Sequence, residues 1–197
     1  IAVLIIIVIC MVAMIVGSCF GIFFPSESSG SSMTIQSVVQ EINTEYQNKL
    51  DEIQKSHTYD VLEMNGVHAV WKEVVAVYAV KTTSDPNSAQ EVAIMDDSKK
   101  KILTDIFWEM NVISSWTETK TETVIEVSDD GHGNMVETEK AVTRTFLYIT
   151  VAHKTVDEMA DQYGFDGEQK AQLSEFLAEK NDSMWEPLRG GVANSEG

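Results

Sequence analysis

The sequence predicts an α+β fold: one N-terminal transmembrane helix, then a mainly helical ectodomain with one long β-hairpin. Three observations predict it. The chain opens on an uncharged apolar run from Ile1 to Phe24. Several later segments repeat apolar residues every three or four positions, the period of a helix with one buried face. Two β-rich runs flank a turn rich in Gly, Asp and Asn between Val127 and Met135, which is a hairpin pattern.

The opening run, IAVLIIIVICMVAMIVGSCFGIFF, sets the expected topology. A bilayer core about 30 Å thick needs about 20 apolar residues in a helix. A surface helix of a soluble domain keeps a polar side, and this run has none. A signal peptide has a shorter apolar core and a small-residue cleavage site, yet no Ala-x-Ala precedes Pro25. Residues 1–24 are therefore expected to span a membrane, with the lipid bilayer as partner. No Lys or Arg lies between Phe24 and Lys49, and cytoplasmic flanks are rich in both. The N-terminus is thus expected in the cytoplasm and the bulk of the chain outside it. The first residue is Ile, not Met, which reads as a missing cytoplasmic leader. Gly17 and Gly21, extended backward by Ala13, form a small-xxx-small stripe that lets two membrane helices approach. That opens a route to a homodimer, although the motif is common by chance.

Charge and cysteine usage exclude several functions. The formal net charge is -17, which repels nucleic acid, whose binding rests on Lys and Arg against phosphate. The plain role of such charge is solubility. Both cysteines, Cys10 and Cys19, lie in the apolar run. The rest of the chain has no disulfide and no thiol nucleophile.

Residues 25–33, with the Ser/Gly/Pro string PSESSGSS, read as a flexible linker. Residues 34–188 read as one extracytoplasmic α+β domain. Thr34 to Ser56 is a helix, with Ile35, Val38, Ile42, Tyr46, Leu50 and Ile53 on one stripe. Gly66 to Lys81 is apolar nearly all round and reads as a buried central helix, broken after Thr82 and before Pro86. Asp96 to Ile113 is a third helix, with Asp96, Asp97 and Ser98 suited to its N-terminus. Trp116 to Val127 and the run after the turn form a two-stranded arm. Its base is apolar from Phe146 to Val151, and its tip is exposed. An isolated ribbon is marginal in water, so the base must pack on the helices. Thr155 with Glu158, and Asp166 with Gln169, are capping boxes that start two more helices. The closing PLRGGVANSEG reads as a linker or frayed tail, with residues 189–197 outside the domain.

No motif assigns chemistry. The turn DDGHGN lacks the ligand spacing of a calcium loop, and a hairpin turn needs those residue types anyway. His57, His68, His132 and His153 show no HExxH and no ligand four positions away. Glu63, Glu73, Glu91 and Glu109 flank apolar segments and are the candidate acids for a glycosidase, but solvated helix faces look the same. No catalytic, cofactor-binding or metal-ligating residue is assigned, and no cofactor is expected.

Whole phrases carry a resemblance. YDVLEMNG, AVWKEVVAVYAVKT, EVAIMDDSKK, IFWEMN, TKTETVIE, TFLYITV and DEMADQYGF occur in order, ahead of NDSMW. Together they resemble the N-terminal, pre-catalytic region of membrane-anchored CHAP-type cell-wall hydrolases from conjugative mobile elements of Gram-positive bacteria. The resemblance implies an accessory domain that positions wall-cutting or transfer machinery, with peptidoglycan and conjugation proteins as partners. It also implies a Cys/His amidase or peptidase module, expected after Gly197. A weaker resemblance is to lysozyme-like transglycosylases. Lys81 and Thr82 then stand where a catalytic Glu and a Ser would be expected, which implies a degenerate site. A third expectation is a structural subunit of a conjugative transfer channel, using the arm for contacts.

Overall fold

The computed structural model describes residues 33–66, 69–83, 95–129, 131–132 and 135–189. The expected membrane helix over 1–24, its Gly17/Gly21 stripe and nearly all of the linker lie outside the described residues. No helix among the described residues is long and apolar enough to cross a membrane. The longest is α1, Ile35–Ser56. It buries one stripe, Ile35, Val38, Val39, Ile42, Tyr46 and Leu50, and exposes Glu41, Glu45, Lys49 and Glu52. That is an amphipathic helix and not a lipid-facing one. The expected fold is corrected accordingly. The described chain is α+β, built of helices and a three-stranded sheet, without a membrane-crossing helix.

The described residues fall into two compact units. The first comprises residues 33–46, 69–83, 95–112 and 153–189. At its centre is α2, Trp71–Thr83, in which every residue from Val74 to Val80 is fully buried. Such a helix needs no polar face, which is why its valines do not make it a strand. It starts at Trp71, later than the apolar run suggests. Trp71 stacks on Phe107 with centroids 4.8 Å apart, and its Nε1–H donates to Asn43 Oδ1 at 2.8 Å. Helix α3, Asp97–Met110, begins where Asp96 Oδ1 accepts the Lys99 N–H at 2.9 Å. It ends before the expected Ile113. The backbone N–H and Nδ2 of Asn111 both donate to the Phe107 carbonyl, and the chain turns extended at that residue.

Helices α4, Val156–Gln162, and α5, Gly167–Leu177, both start in complete capping boxes. A 3₁₀ turn over Glu179–Trp185 and the short α6, Glu186–Arg189, close the unit. Leu188, at the expected end of the domain, is buried, as is Trp185, whose Nε1–H donates to the Phe176 carbonyl.

The second unit comprises residues 47–66 and 113–152. It holds the sheet, in the order β1-β3-β2. Strands β2, Asn111–Asp129, and β3, Met135–His153, are joined by a short turn and so run antiparallel. The hairpin forms as expected, but it is not a lone pair. Strand β1, Val61–Asn65, lies parallel to β3 with Val61 opposite Phe146 and Asn65 opposite Thr150. Asp60 fixes its start: its N–H donates to the Thr145 carbonyl, and its Oδ2 accepts the Thr145 N–H at 2.7 Å. Gly66 ends it at φ +70°, with the Val151 carbonyl where a Cβ would sit. Phe146, Leu147, Tyr148 and Ile149 are buried in β3, whereas residues 135–141 are exposed.

Candidate functional site

Side chains alternate across a strand, so even-numbered residues of β2 and β3 share a face. That face carries a stack of rings. Trp116 lies parallel to Tyr148, centroids 5.0 Å apart at 12°, and Tyr148 lies parallel to Phe146 at 6.1 Å. Phe146 and Tyr148 are buried, but Trp116 remains 49% exposed. One indole face is therefore backed by aromatic rings and the other is open. Lys120 Nζ donates to Tyr148 Oη at 2.6 Å and pairs with Glu118 at 3.3 Å. The bond to Tyr148 and the Glu118 carboxylate hold its ammonium above its ordinary pKa. Glu63, on β1, stands opposite Tyr148 in the register. Farther out, Arg144 pairs with Glu122 at 3.5 Å and Lys140 with Glu126 at 3.3 Å. Such a strip can stack against the apolar face of a ligand and hydrogen-bond its rim, with no proton to transfer.

The first unit gathers two polar clusters from residues of the sequence reading. Glu73 and His153 meet at 3.1 Å, between Oε2 and Nε2. His153 Nδ1 lies 3.0 Å from Asn111 Oδ1. Because Asn111 Nδ2 donates to Phe107, its Oδ1 must face the ring, and Nδ1 is the donor there.

Lys81 Nζ sits 3.4 Å from the centre of the Tyr163 ring, a cation–π contact. Tyr163 Oη donates to Glu109 Oε2 at 2.9 Å, and Gln162 Nε2 donates to the same oxygen. Burial lowers the Lys81 pKa against the opposing pull of Glu109 and Asp105, and burial raises that of Tyr163. The Thr82 hydroxyl is buried and donates to the Tyr78 carbonyl at 2.7 Å. Two donors thus occupy Oε2 of Glu109.

The other candidates are scattered. His57 bonds the Ile53 carbonyl at the end of α1, and His132 is exposed in the hairpin turn. His68 and Glu91 lie outside the described residues. Among the described residues no group of three or more His, Cys, Asp or Glu is placed to hold a metal ion. The ring stack escaped the sequence reading, though a signal existed: Trp116 and Tyr148 lie equally far along the chain from His132, the centre of the turn.

No protein-family model, curated protein or solved structure matches this chain.

Proposed function

We propose that the chain is an extracytoplasmic accessory domain that holds wall-cutting or transfer machinery against the cell wall and does no chemistry itself. One observation carries the reading: an exposed indole face, backed by Tyr148 and flanked by Lys120 and Glu118. Sugar rings present C–H faces that stack on such a surface, and their hydroxyls suit the flanking charges. The resemblance of its phrases to conjugative wall hydrolases points to the same partner.

The test is cosedimentation of the full-length chain with purified peptidoglycan. Trp116→Ala should weaken binding about tenfold, since an aromatic anchor covered by its ligand is worth on the order of 1–2 kcal/mol. Equal retention of both proteins would remove the glycan-facing role. A channel subunit is the second reading, favoured by the arm that β3 extends about 35 Å beyond its contact with β1. A photo-crosslinker at His132 that captures transfer proteins while Trp116→Ala leaves wall binding untouched would favour it.

A further inference from the structure

Strand β2 is the last strand of the sheet and spans 19 residues. Among the described residues no strand lies beyond it. Its free edge therefore carries a long row of unpaired N–H and C=O groups. Proteins usually blunt such an edge by brevity, proline or a bulge, and β2 contains no proline. It does contain a charge pattern. On its even face stand Glu118, Lys120, Glu122 and Glu126, a single cation among carboxylates. Most strands laid against this edge in an arbitrary register would meet acid without compensation.

We propose that β2 pairs edge to edge with β2 of a second copy of this chain, antiparallel, with Thr119 on the two-fold axis. In that register Glu118 of each copy faces Lys120 of the other. Thr117 faces Thr121, and Ile113 faces Ile125, which is 62% exposed in the single chain. Opposite charges, paired threonines and paired β-branched residues are each favourable directly across an antiparallel pair. Centring the pair on Lys120 instead would oppose Lys120 to itself and Glu118 to Glu122. Centring it on Glu118 would oppose two carboxylates. The strand is self-complementary in the Thr119 register, as a two-fold interface must be. The result is one continuous six-stranded sheet with both Trp116 stacks on the same face.

The experiment uses the full chain with Cys10→Ser and Cys19→Ser. Thr119→Cys should oxidise to a disulfide dimer, because residues facing across the axis come within disulfide reach. Thr121→Cys should not, since its copy lies about 13 Å away along the strand. By analytical ultracentrifugation Lys120→Glu should weaken the dimer about tenfold or more, because like charges then oppose one another twice. Adding Glu118→Lys to Lys120→Glu swaps both charges and should restore association. A chain that sediments as a monomer, a disulfide at Thr121→Cys but not at Thr119→Cys, or no rescue by the charge swap would each overturn the proposal.

Discussion

Nε2 of His153, the last residue of β3, lies 3.1 Å from Oε2 of Glu73 in the first turn of α2. The ring's other nitrogen is held by Asn111, which in turn caps the end of α3 by donating to the Phe107 carbonyl. Asn111 is buried, whereas the Glu73 side chain keeps 31% of its exposure. The two should therefore respond differently to substitution. Asn111→Ala leaves the His153 N–H without its acceptor and removes one of the two donors to the Phe107 carbonyl, and should cost about 2 kcal/mol. Glu73→Gln keeps an acceptor at a partly solvated site and should cost less than about 1 kcal/mol. Urea midpoints measure both, and a larger loss for Glu73→Gln would show that the carboxylate is the anchor.

Two glycines with positive φ separate backbone strain from close approach. Gly164 has φ +66° and open space around a built Cβ. Gly66 has φ +70°, and a Cβ there would run into the Val151 carbonyl. Gly164→Ala should cost about 1 kcal/mol, the left-handed penalty alone. Gly66→Ala adds a backbone clash that must be relieved by moving β3, and should cost about 3 kcal/mol in all. Equal losses in urea titrations would mean that β1 shifts freely.

Local rules explain which parts of this fold could be read from sequence. Thr155/Glu158 and Asp166/Gln169 form both reciprocal bonds of a capping box, because that motif is closed within four residues. The α1 stripe and the hairpin also follow from short-range period. Strand β1 does not. VLEMN alternates only over Leu62 to Asn65, the shortest run that a period of two can show, and its partner β3 lies about 80 residues along the chain. The end of α3 misled because Ile113 continues the apolar spacing, while a single side-chain amide at Asn111 ends the helix. The clusters were illegible for a different reason. Glu73 and His153, or Lys81 and Tyr163, meet only through tertiary packing, which spacing along the chain does not record.

Alkaline pH should unfold the chain through its tyrosines. Burial raises the hydroxyls of Tyr46 and Tyr78 to about 12 each. In the unfolded chain tyrosine ionises at about 10. The folded values are the higher ones, so the unfolded state loses its protons first. The stability from these two groups is whole below about pH 10 and falls as pH rises from there toward about 12. Tyr78 Oη donates to Met95 Sδ at 3.5 Å, a weak acceptor, so Tyr78→Phe should cost no more than about 1 kcal/mol at neutral pH. The same variant should flatten the alkaline loss. Urea midpoints across this range decide it, and an unchanged slope in Tyr78→Phe would exclude Tyr78 as a source.

The outer arm should contribute little to stability although its sequence is rich in β-formers. Ile125 is 62% exposed on β2, whereas Ile149 on β3 has no exposed surface. A side chain adds hydrophobic stabilisation only for the area it removes from water. Ile149→Ala removes buried methyl groups and leaves a cavity, and should cost about 2–5 kcal/mol. Ile125→Ala should stay within about 0.5 kcal/mol, measured under conditions where the chain is monomeric. At concentrations that favour pairing of β2 edges, Ile125 gains Ile113 of the other copy as a neighbour, and the same substitution should become costly. A concentration-independent effect of Ile125→Ala, alongside a large loss for Ile149→Ala, would confine the buried base to β3 and leave the outer arm free of a partner.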